Sequence, residues 1–364
     1  MKILDTDHIE LYVGDARAAA AQLCAQYGFH VYGQGGPETG LAGQRSVLLG
    51  QRDIRILLTS GLSGGHRASR YVAQHGDGVA IVAFGCTDAE AAFAEAVAAG
   101  ATPVEAPRTV TRGGSTVVMA EVSGFGDVTH RLVQRDHADP DFLPGLIAMA
   151  PVQESDADLL HAIDHAAVCL QAGELDSTVA YYERVFGFEM IFQEYIEVGE
   201  QGMQSKVVQS PSGGVTFTLI QPDISRRAGQ IDDFLAWHEG AGVQHIALST
   251  HDIVTAVRTL GRRGVEFAET PGSYYDMLAT RLGETDVPVD ALRPLGILVD
   301  RDHWGQMYQI FAKSTHIRRT YFNELIDRHG ARTFGTSNIP ALYAAKEREL
   351  AAVRDTTLSE GTAL

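Results

Sequence analysis

The chain repeats itself, and that repeat limits its possible folds more than any single motif does. In the first half TDHIELYVGD leads into a helix-like stretch ending in QYGFHVYG; in the second, IDHAAVCLQAG leads into TVAYYERVFGFEMIF. Farther along, HGDGVAIVAFGCTDAEAAFAEAVAAGATPVEAP is paralleled by HEGAGVQHIALSTHDIVTAVRTLGRRGVEFAETP, with the same order of strand, helix, glycine, strand and proline. The chain therefore reads as two pairs of related units. Each unit opens on a strand-like run and continues with apolar residues at helical spacing, as with Val179, Tyr182, Val185 and Phe186. Asp176, Ser177 and Thr178 are cap candidates for that helix and Gly187 its stop; Asp252 and Gly261 serve Ile253, Val254, Val257 and Leu260 in the same way. SKVVQS, GVTFTLIQP, GILVD and MYQIFAK add strands, giving a βαβββ unit four times over and an α+β fold with largely antiparallel sheets.

Residues 136–160 carry Pro140, Pro144 and Pro151 in an acidic, weakly periodic stretch, which reads as a linker between residues 1–135 and 161–354. SNIPALYAAKERELAAV reads as a closing helix capped by Ser337 or Asn338, with Pro340 in its first turn, and 355–364 as a frayed tail. Forty-six acidic against twenty-nine basic residues give a formal charge of -17, which disfavours nucleic acid and anionic membrane surfaces as partners. The N-terminus lacks the pattern of a secretory signal, and no apolar run approaches the roughly 18 residues of a membrane span. A cytoplasmic protein is expected. Cys24, Cys86 and Cys169 form no CxxC pattern and read as small core residues.

Comparing the halves singles out His245. GVAIVAF has Ile81 where GVQHIAL has His245, so the unit is built equally well without the imidazole. His165 occupies the equivalent place in the first strand of its own unit, and paired units packed with pseudo-twofold symmetry would bring the two imidazoles together. His8 matches His165 but has no partner at Ile81, and reads as a structural remnant. FNELIDR places Glu324 on one face with Phe322 and Ile326. A carboxylate on an apolar face needs a cationic partner to offset its desolvation. Two histidines and one carboxylate form the facial triad of non-haem Fe(II) oxygen chemistry, although zinc fits the same ligands.

GQIDDFL, GVQHIAL, TPGSYYDML, LGILVD, QIF and FGTSNIPALYAA occur here in an order that resembles the catalytic domain of the 4-hydroxyphenylpyruvate dioxygenase and 4-hydroxymandelate synthase family, within the vicinal oxygen chelate superfamily. The first half resembles the family's non-catalytic domain, so the resemblance covers nearly the whole chain. It implies two open β-barrel-like domains and Fe(II) held by His165, His245 and Glu324. It also implies an aryl 2-oxo acid and O2 as substrates and no separate 2-oxoglutarate. Ser205, Thr218, Gln244 and Gln309 resemble polar positions of the family's substrate site, and Phe311 and Phe334 its aromatic walls.

The two branches of the family differ in whether oxygen enters the ring, giving homogentisate, or the benzylic carbon, giving 4-hydroxymandelate. Ile339 stands where the dioxygenases usually carry Phe, and Thr218 where they usually carry Pro; both match the synthase pattern. EYIEVGEQGMQS and the SNI of GTSNIPAL resemble synthases of antibiotic-producing actinobacteria, where the product feeds hydroxyphenylglycine into peptide antibiotics. An Ile in place of a Phe ring frees space above the substrate ring, and a tilt of about 1 Å redirects such chemistry. Thr218 and Ile339 are thus expected to set the outcome. Two positions depart from the family: Asn323, where relatives carry an aromatic, and Pro340, where many carry Lys. Alternation points Asn323 away from the metal. The rival readings are a 4-hydroxyphenylpyruvate dioxygenase of tyrosine breakdown, a member acting on another 2-oxo acid, and a non-catalytic ligand-binding or resistance protein, which the fold also supports. A homodimer is expected as the commonest assembly.

Overall fold

The computed structural model describes all residues except 136–140, 152–154, 156–157, 336, 343 and 346–364. The first sheet contains β1 (Ile3–Tyr12), β2 (His30–Gly35), β3 (Gln44–Gln51), β4 (Ile54–Gly61), β5 (Gly78–Cys86), β6 (Pro103–Arg112), β7 (Ser115–Ser123), β8 (Thr129–Arg135) and β9 (Ala148–Met149). The second contains β10 (Ile163–Cys169), β11 (Glu189–Val198), β12 (Gln201–Gln209), β13 (Thr216–Pro222), β14 (Gly242–Ser249), β15 (Leu298–Arg301), β16 (Gln306–Phe311) and β17 (Phe322–His329). Their orders are β9-β2-β3-β4-β1-β5-β8-β7-β6 and β11-β12-β13-β10-β14-β17-β16-β15, so apart from β9 the two sheets have the same topology. Each is a curled half-barrel of two βαβββ units, as the repeat implied.

Pairing is antiparallel except where the first strand of a unit meets its last, at β1–β4, β5–β8, β10–β13 and β14–β17. The central strands β5 and β14 are buried almost throughout, which suits the apolar run of β5 and the largely apolar β14, interrupted only by Gln244 and His245. Both halves carry the same bulge there: Ile81 and Val79 pair with successive residues of β1, and His245 and Val243 with successive residues of β10. Within residues 136–160, β9 pairs with β2, while Phe142, Leu143 and Ile147 are buried.

The main helices are α1 (Ala16–Tyr27), α2 (Arg67–His75), α3 (Ala89–Ala98), α4 (Leu175–Phe186), α5 (Gln230–His238) and α6 (Ile253–Arg262). Two expected boundaries move. Helix α4 begins at Leu175, so Asp176, Ser177 and Thr178 lie inside its first turn rather than at its cap. The cause is tertiary: Leu175 is buried, and the Gln221 side-chain oxygen on β13 accepts from the Leu175 and Gly173 N–H groups, doing the work of a cap residue. Gly187 does end α4, in the left-handed conformation. Asp252 caps α6, but that helix passes Gly261 and closes at Arg262, the left-handed turn falling on Gly264. Residues 338–342 are helical, with Pro340 in the first turn; the rest of the expected closing helix is only partly described and the 355–364 tail lies outside the described residues. No described helix is long and apolar enough to cross a membrane.

One continuous core lies between the halves and under the helices. Phe84 of β5, Phe186 of α4, Phe188 and Phe217 of β13 cluster there with Tyr182 around His130. His130 Nδ1 bonds Val82 O, so its Nε2 accepts from the Tyr182 hydroxyl at 2.7 Å, one polar link from first half to second inside an apolar shell. Burial pushes the His130 pKa down to about 4, so the ring is neutral near neutral pH. Tyr182→Phe leaves Nε2 unpaired at almost unchanged packing. Urea unfolding is expected to show a loss of roughly 1–3 kcal/mol.

Candidate metal centre

Strand register builds this site. On β10, β14 and β17, His165, Ala247 and Glu324 pair across one row, and Ala167, His245 and Phe322 across the next. Paired residues and residues two apart share a sheet face, so the three polar side chains rise from the inner face of the half-barrel. Ala166, Ile246 and Leu325 point the other way into the shared core. Ala167 and Ala247, both fully buried, are small enough to leave open the space between the three longer side chains. His165 Nε2 is 3.4 Å and His245 Nε2 3.2 Å from Glu324 Oε2, and one ligand atom from each residue lies within 4.8 Å of the others.

All three residues are buried. Glu324 Oε1 and His245 Nδ1 have no hydrogen-bond partner, so the carboxylate is not satisfied by the protein alone. Two imidazole nitrogens and a carboxylate oxygen converging from three strands on one side fit a divalent ion with open positions toward the cavity. His165 is oriented from behind: its Nδ1 bonds Asp164 at 2.8 Å, and Arg328 grips Asp164 through Nε at 2.7 Å and Nη2 at 2.8 Å. Arg328 Nη1 donates to the carbonyls of Thr333 and Ala331, fixing the loop that carries Phe334. The Phe334 ring then stands edge-on to His165, 5.1 Å between centroids. His245 is held by rings instead, stacked on Phe322 at 5.0 Å with Phe311 edge-on at 5.6 Å.

The other sequence-derived positions spread outward from this point. Thr218 lies in the row of Ala167 and His245, one strand beyond β10, and its buried hydroxyl has no partner. Gln309 faces the same interior from β16; its Nε2 makes one long bond to Gly335 O and its Oε1 is unpartnered. Ser205, on β12, is buried one row farther, opposite Ile220. Ile339 packs against the buried cluster of Cys169, Ile196, Met203, Ile231, Phe234 and Leu235 at that end of the half-barrel. Gln244 is the extra residue of the β14 bulge, and bulges re-aim side chains that simple alternation would send to the opposite face. Asn323 lies on the outer face, where its oxygen accepts from the Tyr321 hydroxyl, and Pro340 is exposed. Sequence reasoning passed over Asp164 and Arg328, and read Phe322 only as an apolar neighbour of Glu324 on its face. The Asp-His pair recurring in TDHIEL and IDHAAV was the available signal for the first.

Profiles described as Glyoxalase/Bleomycin resistance protein/Dioxygenase superfamily match residues 162–284 and 7–118. The chain is 32% identical to 4-hydroxyphenylpyruvate dioxygenase of Yarrowia lipolytica, over 95% of this chain and 92% of that one. It is also 32% identical to the Dictyostelium discoideum protein of that name, over 94% and 97%. Among solved structures, a triple-substitution variant of 4-hydroxymandelate synthase from Streptomyces coelicolor superposes with a TM-score of 0.86 at 44% identity, covering 96% of this chain and 99% of that one.

Burial opposes charge on His165, but its hydrogen bonds to Asp164 and Glu324 outweigh this and raise its pKa from 6.5 to about 9 in the metal-free protein. The charged imidazole therefore stabilises the metal-free fold fully below pH 6.5, and this contribution is lost as pH rises through about 9. Coordination requires the bare Nε2, so an ion must displace that proton. Calorimetry at pH 7 in buffers of different ionisation enthalpy is expected to show close to one proton released per ion bound, with affinity rising up to about pH 9. Asp164→Asn is expected to weaken metal binding roughly 10–100-fold by equilibrium dialysis, because it unlocks the ring behind the ligand atom.

Proposed function

Since the chain belongs to the 4-hydroxyphenylpyruvate dioxygenase family, within the glyoxalase and dioxygenase superfamily, we propose that it is an Fe(II)-dependent 4-hydroxymandelate synthase. On this reading it converts 4-hydroxyphenylpyruvate and O2 to 4-hydroxymandelate and CO2, supplying hydroxyphenylglycine for peptide antibiotics. His165, His245 and Glu324 hold the ion, and residues 161–354 form the catalytic domain beside a non-catalytic 1–135. The observation that carries the reading is the buried 2-His-1-carboxylate set with unpartnered Glu324 Oε1, opening onto an inner face that bears further unpaired polar atoms. Likeness to the synthase at 44% identity over nearly both full lengths supports the branch, as do Thr218 and Ile339.

Fe(II) held by His165, His245 and Glu324 would anchor the 2-oxo acid and supply the redox chemistry with O2. The residues of the chain supply position. Phe311 and Phe334 flank the imidazoles and exclude water on two sides. The unpaired Thr218 hydroxyl and Gln309 Oε1 offer hydrogen bonds to polar atoms of the substrate, which would satisfy atoms that are otherwise buried at a cost. Ile339 bounds the far wall with an aliphatic side chain packed against the buried cluster that includes Cys169, leaving the aryl ring room to tilt so that its benzylic carbon is the part presented for reaction. Gln244 and Ser205 complete the proposed lining. The partners are the aryl 2-oxo acid and O2, without nucleic acid or membrane, and the enzyme is proposed to be a cytoplasmic homodimer.

Incubating Fe(II)-loaded protein with 4-hydroxyphenylpyruvate and resolving the products chromatographically against standards tests this directly. 4-Hydroxymandelate is expected; homogentisate would assign the chain to the dioxygenase branch, and no O2 consumption would remove the enzymatic reading. Ile339→Phe is expected to move the ratio toward homogentisate about tenfold or more, equivalent to about 1.4 kcal/mol between the two barriers. An unchanged ratio would release Ile339 from its proposed role.

A further inference from the structure

The first half repeats the frame of the centre, keeping one of its three metal-ligand positions as histidine and replacing the other two. By register, His8, Glu10, Ile81, Ala83, Glu121 and Arg131 hold the places of His165, Ala167, His245, Ala247, Phe311 and Glu324. The outer frame is duplicated too. His8 Nδ1 bonds Asp7 at 2.6 Å, and Arg135 grips Asp7 through Nε at 2.6 Å and Nη2 at 2.8 Å. Phe142 stands edge-on to His8 at 4.9 Å, with the Arg135 guanidinium over its face. Asp7, Arg135 and Phe142 thus repeat Asp164, Arg328 and Phe334 contact for contact.

What differs is the middle. Arg131 points a guanidinium inward from the position that carries the Glu324 carboxylate in the other half. Its Nη1 is 2.7 Å from Glu10 Oε2 and 3.2 Å from His8 Nε2; its Nη2 and Nε are 2.6 and 2.9 Å from Glu121 Oε1. With Nδ1–H given to Asp7, His8 turns its Nε2 lone pair toward the guanidinium, the same atom that His165 turns toward Glu324. Thr59 donates to the second oxygen of Glu10, and Arg67 to that of Glu121, so both carboxylates are fully engaged. We infer that this is a cation site of the same construction as the metal centre, in which the Arg131 guanidinium takes the place of the divalent ion and His8, Glu10 and Glu121 are its ligands.

The inference concerns the first half alone and does not depend on the function proposed for the second. It explains why the half without a triad keeps the frame: a buried His8 and two carboxylates need a positive centre, and the chain provides one that cannot dissociate. Burial works against the charge on Arg131, yet Glu10 and Glu121 outweigh it and hold the side chain ionised.

Arg131→Ala removes the internal cation and leaves one imidazole nitrogen and two carboxylates facing a gap the size of a guanidinium. Metal analysis after dialysis against Mn(II) or Zn(II) is expected to show one more ion per chain than the parent. The extra ion should be lost in Arg131→Ala/His8→Ala, and thermal unfolding of Arg131→Ala should become ion-dependent beyond the parent's own response. Folding of Arg131→Ala only with added divalent ion would give the same support. A folded Arg131→Ala that takes up no extra ion would overturn the inference. Should that variant fail to fold with or without ions, Arg131→Lys and Arg131→Met decide: a smaller drop in unfolding midpoint for Lys upholds a cation's role, and equal drops overturn it.

Discussion

A carboxylate stripped of water inside an apolar half-barrel is tolerable only beside positive charge, and the arrangement around Glu324 follows from that requirement. Its Oε2 lies between two imidazole nitrogens while Oε1 has no partner, so side chains already satisfy half of the group and half is left for something else. Without an ion, hydrogen bonds to Asp164 and Glu324 favour a proton on His165 and raise its pKa, while Glu324 Oε1 stays unpartnered. With an ion, the proton leaves and the same three atoms become ligands. Metal affinity, pH dependence and the stability of this half are therefore one linked equilibrium.

The duplicated scaffold shows how little of the centre is specific to metal. The strand order, the bulge on the central strand, the Asp behind the His, the Arg behind the Asp and the flanking Phe recur in both halves. These parts orient one imidazole whether or not an ion can bind. The distinction lies at four inward positions, where Ala167, His245, Phe311 and Glu324 leave an opening in one half, while Glu10, Ile81, Glu121 and Arg131 close it in the other. On the proposed reading, one architecture accommodates an exchangeable cation on one side and a covalently attached one on the other.

Much of this was legible in the sequence, and the failures have identifiable causes. The βαβββ repeat could be read from matched segments, and His165, His245 and Glu324 from the contrast of GVQHIAL with GVAIVAF and the spacing of FNELIDR. The start of α4 was misplaced because its cap comes from Gln221, 46 residues along the chain from Leu175, and local rules see only neighbours. A glycine near a helix end usually is a stop, which points to Gly261, but Gly264 supplies the left-handed turn. The place of Gln244 depends on a bulge that no alternation pattern displays. The role of Arg131 was invisible because it depends on cross-strand register with Glu10, Glu121 and His8, residues 10 to 123 positions away.

The position of bound iron is the most direct test of the proposed centre. Crystals grown anaerobically with Fe(II) and measured at the iron absorption edge would place the metal by its anomalous signal, independently of any activity. One peak per chain is expected, within coordination distance of His165 Nε2, His245 Nε2 and Glu324, with none beside Arg131. A peak elsewhere, or none at a concentration that saturates binding in solution, would contradict it.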